Sequence, residues 1–241
     1  MEMEPTENAL LGGRVRLLQP ARGYRIAIDA VLLAAAVDAR PGERILDLGA
    51  GVAAVGLCLA ARVPGCTIVG IELQPALAAL AVRNARLNEV DECVQTLVHD
   101  LADPLPGHLG LFDHVATNPP YLAAAVADPS PNPSKALATV ESSADLARWL
   151  EVATGTLKPA GTLLAIHRSD RLKEIVGHLA VLGWGEITVK RLPPAARVLV
   201  RARRASGVQR TEAPPLILHR AAGGYTDEAE AVLRHAQPLI F

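Results

Sequence analysis

The chain has 241 residues, half of them apolar and a fifth charged, with a net charge of −1. That length suits one α/β domain with additions, or at most two small domains, and allows a sizeable core. The balanced charge excludes a global basic footprint for nucleic acid, and the longest apolar run, Ala30 to Val37, is far shorter than the ~20 residues of a membrane span.

Three cysteines, Cys58, Cys66 and Cys93, sit in apolar contexts without metal-ligand spacing. An odd count, with an acidic Met1-Glu2-Met3-Glu4 start that is wrong for a secretory signal, leads us to expect a reducing cytoplasm. Aromatics are only 3 % of the chain, so each one that reads as exposed is informative.

In chain order, residues 1–12 read as a frayed start. Arg14 to Leu18, a turn at Gln19 to Gly23, then Tyr24 to Ile28 suggest a β-hairpin. The segment from Gly13 to Ile28 carries four arginines and no acid. Asp29 is expected to cap a helix running from Ala30 to Asp38. Arg44 to Leu48 is a strand that runs into Gly49-Ala50-Gly51, followed by an apolar helix from Val52 to about Ala61. Glycines let a backbone approach a ligand, and a helix N-terminus favours electron-rich groups. Gly49-x-Gly51-x-x-Ala54 also satisfies the dinucleotide-binding pattern.

A second strand, Thr67 to Ile71, ends in Glu72, which is placed to accept hydrogen bonds from ribose hydroxyls. A helix from Pro75 to Leu87 follows, then a third strand, Cys93 to Val98, leading to His99-Asp100-Leu101. Asp100 is a candidate acceptor for an adenine amine; His99 reads as local packing. The fourth strand, Leu111 to Thr117, ends in Asn118-Pro119-Pro120-Tyr121. Two prolines stop a strand, so the turn presents an amide, a backbone carbonyl and a ring at the carboxyl edge of the sheet, where ligands bind in open α/β folds.

Leu122 to Ser143 is proline-rich and reads as a long loop, either a substrate lid or a bridge. Ser143 is expected to cap the next helix, whose apolar spacing puts Trp149 in the core. Strands at Thr162 to His167, Gly185 to Arg191 and Arg197 to Arg203, and a helix at Asp170 to Leu182, complete the sheet. From Ile187 to Thr211 there are seven basic residues and no acid, a one-signed excess that, with the N-terminal arginines, marks a phosphate-binding surface or a solvated face. Thr226 is expected to cap a last helix from Asp227 to His235.

Strands alternating with helices imply a doubly wound, mostly parallel sheet. With the glycine turn, Glu72, Asp100 and Asn118 to Tyr121 in this order, the chain resembles the Rossmann-like methyltransferases, over about residues 40 to 205. Gln19-Pro20, Ile28-Asp29-Ala30-Val31-Leu32-Leu33, the Asn-Pro-Pro-Tyr turn and Gly224-Tyr225-Thr226 narrow it to a resemblance to the bacterial tRNA(Val) adenine-37 N6-methyltransferase family. It departs from that family at Ala53, which stands for a third glycine, and in its proline-rich loop.

The resemblance implies a seven-stranded methyltransferase sheet over 40–241 behind an N-terminal hairpin and helix extension over 1–39. It implies S-adenosyl-L-methionine as cofactor, bound by Asp29, Asp47, Gly49, Gly51, Glu72, Asp100, Leu101 and Asn118. Asn118 and the Pro119 carbonyl would accept the two hydrogens of an adenine N6, and Tyr121 would stack on the base. Arg14, Arg16, Arg197, Arg201 and Arg203 are the candidate contacts to RNA, expected to be tRNA. No metal is expected. A protein glutamine N5-methyltransferase uses the same turn and is the nearest rival. A DNA adenine methyltransferase and a non-catalytic cofactor-binding RNA factor stand further off.

Overall fold

The computed structural model describes residues 5–22, 25–122, 136, 140–141 and 143–241. Its centre is an eight-stranded sheet. We number the strands β1 (Thr6–Leu10), β2 (Val15–Gln19), β3 (Arg44–Leu48), β4 (Thr67–Glu72), β5 (Val94–Val98), β6 (Phe112–Thr117), β7 (Leu157–Arg168), β8 (Glu186–Arg191), β9 (Arg197–Arg203) and β10 (Gln209–Ala213). The order across the large sheet is β10-β8-β9-β7-β6-β3-β4-β5. β5, β4, β3, β6 and β7 run parallel, β9 is antiparallel to both its neighbours, and β10 is parallel to β8.

Helices cover both faces, as expected of a doubly wound sheet. Among the described residues they are α1 (Ile28–Ala36), α2 (Ala54–Arg62), α3 (Pro75–Leu87), α4 (Leu146–Thr156), α5 (Leu172–Val181) and α6 (Asp227–His235). Strand residues alternate between two cores. Ile45, Ile68, Ala116 and Leu164 pack with α1, α2, α3 and α6. Leu46, Val69, Val115 and Leu163 pack with α4 and α5.

The sheet has one strand more than the seven expected. β10 is polar and exposed along most of its length, so it lacks the apolar alternation that announces a strand. The hairpin also differs. β2 pairs antiparallel with β1, in the segment read as frayed, while residues 25–27 are irregular. Tyr24 lies outside the described residues.

Asn84 of α3 and Asn88, its C-cap, dock the hairpin. Asn84 accepts from Leu18 N at 2.7 Å and donates to Leu18 O at 2.8 Å. Asn88 does the same for Arg16, at 2.8 and 2.7 Å. Asn84 also donates to Val52 O at 3.0 Å, tying the hairpin to the glycine turn.

Two caps differ from expectation. Asp145, not Ser143, caps α4, accepting from Arg148 N, while Ser143 donates to Asp100 Oδ1 at 2.7 Å. Asp29 lies inside the first turn of α1, and the N-cap is Ala27. Thr226 does cap α6, accepting from Ala229 N at 3.2 Å.

Candidate active site

Four parallel strands deliver the candidate residues to one edge. Asp47 is the next-to-last residue of β3, Glu72 ends β4, Asp100 lies two residues past β5, and Asn118 follows β6. Asp47 is level with Gly70 on one side and Ala116 on the other. Asn118 therefore stands two residues beyond Asp47 toward the open edge.

The glycine turn folds back over β4. The Gly49 and Ala50 amides both donate to Ile71 O at 2.9 Å. A Cβ on Gly70 would lie 2.7 Å from the Ala50 Cβ, so this fold-back needs a glycine in β4. A Cβ on Gly49 (φ +75°) would lie 2.6 Å from Trp149 Cη2. Gly49 is thus required by a packed indole below the turn as well as by its left-handed backbone. Trp149, read from its period as core, does pack with the α4 core and also supports the turn. Ala53 adopts φ +67°, the left-handed conformation a glycine takes without penalty.

Glu72 is buried, and each of its carboxylate oxygens accepts one backbone amide at 2.8 Å, from Gly51 and from Gln74. A carboxylate oxygen has a second acceptor site, so Glu72 can still receive two ribose hydroxyls. Burial raises its pKa, opposed by those amides. Asp47 is fully enclosed, and its Oδ2 has no hydrogen-bond partner. Burial first, and then the Glu72 charge, push its pKa up to about 7. Asp100 Oδ1 accepts from Ala102 N and Ser143, and Leu101 is buried behind it. Arg148 holds this loop by donating to Leu101 O at 2.8 Å.

These residues fit S-adenosylmethionine. An orphaned buried carboxylate oxygen suits a cationic ammonium donor, the Glu72 oxygens suit ribose hydroxyls, and the turn leaves backbone beside α2. The Asn118 Oδ1 is likewise buried and without a partner.

Asp29 is placed elsewhere than a cap. Its Oδ2 accepts from Tyr121 Oη at 2.5 Å and from Arg197 Nε at 3.1 Å. The Arg197 guanidinium lies 4.3 Å from the centre of the Tyr121 ring, covering one face. His167, which sequence reasoning treated only as a strand end, is buried and pairs its Nε2 with Pro120 O at 3.2 Å. Its motif-free position in β7 gave no signal of this.

The other arginines are dispersed. Arg14 donates to Leu11 O and Arg234 O. Arg16 pairs with Glu7 of β1, outside the acid-free window. In the second basic window, Arg191 and Arg210 pair with Glu212, and Arg203 with Glu186 at 3.9 Å. Both acids lie just past the window's ends. Arg201 lies over Phe241. Arg201 and Arg203 sit four and six residues along β9 from Arg197, or ~13 and ~20 Å down the strand from the site edge.

The chain is similar to known methyltransferases. The family model "Methyltransferase small domain" matches residues 25–174. The chain is 34 % identical over 205 residues to the release factor glutamine methyltransferase of Deinococcus radiodurans, covering 81 % of this chain and 72 % of that one. It is 30 % identical over 224 residues to the tRNA1(Val) (adenine(37)-N6)-methyltransferase of Porphyromonas gingivalis, covering 87 % of each. Among solved structures, a predicted O-methyltransferase from Agrobacterium tumefaciens superposes with a TM-score of 0.69 at 25 % identity, covering 88 % of this chain and 98 % of that one. A geranyl diphosphate C-methyltransferase from Streptomyces coelicolor shares the fold, with a TM-score of 0.56 at 15 % identity over 73 % of this chain and 75 % of that one. No helix among the described residues is long and apolar enough to cross a membrane. The family match over residues 25–174, with relatives at 30–34 % identity, makes the chain a member of the methyltransferase small domain family and an S-adenosylmethionine-dependent methyltransferase.

Proposed function

We propose that the protein methylates a planar nitrogen, the exocyclic N6 of adenine in tRNA. The observation that carries this reading is the Asn118 amide oxygen, buried and without a donor at the strand edge beside the cofactor cradle. Leaving such an acceptor unpaired costs roughly 1–3 kcal/mol, a cost that a substrate N–H would remove.

An adenine N6 is a poor nucleophile because its lone pair is delocalised into the ring. Bound S-adenosylmethionine supplies an electrophilic methyl on a sulfonium. Asn118 Oδ1 and the Pro119 carbonyl would accept hydrogen bonds from the two N6 hydrogens and hold the nitrogen with its lone pair turned toward the methyl. As positive charge develops on nitrogen, two fixed acceptors would stabilise it without reorganising; the sulfonium would leave as a neutral thioether, and the surplus N6 proton would pass to water. The base must leave its stack to reach this edge. His167 already engages the Pro120 carbonyl, which leaves the Pro119 carbonyl as the backbone acceptor for this role. For phosphate contacts away from the site edge we propose Arg203, half exposed on β9 and only loosely paired with Glu186 at 3.9 Å, since Arg197 is committed to Asp29 and Tyr121. Arg203→Glu then lowers the steepness of the salt dependence of tRNA binding by about one charge, and an unchanged slope removes Arg203 from the interface.

A relative whose name specifies tRNA aligns over 87 % of both chains, which supports the RNA substrate. A second reading, N5 of a protein glutamine, rests on the 34 % identity to a release factor methyltransferase. Labelled methyl transfer to total tRNA, followed by nucleoside digestion, separates them: N6-methyladenosine supports the first, and label confined to protein supports the second. Asn118→Ala abolishes transfer while S-adenosylmethionine binding survives; persistent turnover in that variant refutes the mechanism.

A further inference from the structure

We propose that Asp29, His167 and Arg197 are positioning residues that clamp the Asn118–Tyr121 turn, and that Tyr121 is the tether they hold. This rests on the N-methyl transfer reading above, because it concerns how Asn118 is aimed.

The four groups come from four elements. Asp29 stands in the first turn of α1, Tyr121 at the end of the turn after β6, His167 near the end of β7 and Arg197 at the start of β9. Register brings the last two together, since Arg168 faces Arg197 and His167 faces Val198 across β7 and β9. One carboxylate oxygen, Asp29 Oδ2, accepts from both the Tyr121 hydroxyl and the Arg197 guanidinium. Arg197 closes the triangle by lying on the Tyr121 ring. His167 meets the ring edge-on, with centroids 5.3 Å apart at 80°.

Protonation states follow from these contacts. A carbonyl oxygen cannot donate, so the Pro120 contact requires a proton on His167 Nε2. Burial depresses the His167 pKa to about 4, so the ring is neutral at ordinary pH and carries its proton on that nitrogen. Burial, then the Asp29 charge, raise the Tyr121 hydroxyl above its usual range, so it stays a donor. The turn is thus gripped at two successive residues, Pro120 through its carbonyl and Tyr121 through its hydroxyl. Two prolines have already removed backbone freedom just before these points. The Asn118 amide is then fixed at the start of a segment with both ends held.

The contacts also argue against Tyr121 acting only as a stacking platform. A platform needs an open face and no hydroxyl. Here the hydroxyl is spent on Asp29, and one face lies under a guanidinium.

Tyr121→Phe separates the two roles, because it keeps the ring and removes the tether. The protein and its Tyr121→Phe, Asp29→Ala and double variants are assayed for methyl transfer to tRNA and for S-adenosylmethionine affinity. Misplacement of a reacting group by ~1 Å costs up to about 10²-fold. We therefore expect kcat to fall ~10–100-fold in each single variant, with the KM for tRNA and the cofactor Kd within about threefold in Tyr121→Phe. The double variant loses less than the product of the two single losses, because both variants break the Tyr121–Asp29 contact. Backbone hydrogen exchange of the segment spanning residues 112–122 is measured in parallel without substrate. It accelerates in both single variants and not in the strands on either side. Wild-type kcat together with wild-type exchange in Tyr121→Phe overturns the clamp. So does a raised KM with unchanged kcat, which would mean that the hydroxyl serves substrate binding and not the aim of Asn118. If the wild-type protein transfers no methyl to tRNA, the substrate reading fails, and the exchange data alone then decide the clamp.

Discussion

Replacing Asp47 by Asn exchanges stability against cofactor binding, with a sign fixed by the buried carboxyl. Asp47 is 2 % exposed, and burial with the Glu72 charge lifts its pKa to about 7. The unfolded carboxyl titrates at about 3.9. A folded pKa above the unfolded one means that folding takes up a proton between these values. The folded state bears no penalty below about pH 4, and stability falls as pH rises through about 7. The full difference is about 4 kcal/mol above pH 7, and about 2–3 kcal/mol of it accrues between pH 5 and pH 8. Asn has nearly the same shape and no charge. Without cofactor, Asp47→Asn should therefore gain about 2–4 kcal/mol at pH 8 and markedly less at pH 5. Urea unfolding at the two pH values reads this directly, with m unchanged. Cofactor affinity should move the other way. In the wild-type protein it rises from pH 5.5 to 7.5 as Asp47 ionises, and in the variant it is weaker and flat. A variant destabilised equally at both pH values would refute the assignment of a strained, ionisable Asp47.

Gly49→Ala places a methyl against the Trp149 indole at a left-handed position and should cost about 2–4 kcal/mol in urea unfolding. Adding Trp149→Leu should recover the steric part and leave the backbone part, so the two changes are not additive. Asn84→Ala strips three hydrogen bonds from a fully buried amide. It should cost about 2–4 kcal/mol and expose the hairpin to limited proteolysis, and an intact digestion pattern would show that packing alone holds the hairpin.

The parallel core was legible because its strands are apolar runs that end in turn residues. Leu46 and Val115 announce burial, and Gly49, Glu72, Asp100 and Asn118 follow at the strand tips. The edges were not legible. Thr6–Leu10 and Gln209–Ala213 are mostly exposed and pair through backbone, which leaves little pattern in side chains. Asp29 satisfies a local capping rule, yet a tyrosine and an arginine from distant segments capture its carboxylate. Local propensity loses there to a tertiary partner. Charge windows misled for a related reason: Glu7, Glu186 and Glu212 lie just outside them and fold back onto Arg16, Arg203, Arg191 and Arg210. The segment 122–143, read as either a lid or a bridge, falls mostly outside the described residues.

The asparagine pair on α3 sets a limit on how far a helix can imitate a strand. Residues four apart on a helix rise ~6.0 Å, and alternate residues of a strand advance ~6.6 Å. One step of mismatch, ~0.6 Å, is absorbed between Asn84 and Asn88. A third amide four residues further along would be off by ~1.2 Å and rotated ~80° around the helix from the first, at 100° per residue. The vernier between the two periods allows two rungs and forbids a third. A helix can therefore register a strand firmly at one place without becoming a template for more, and β2 is seated on the end of α3 at these two residues.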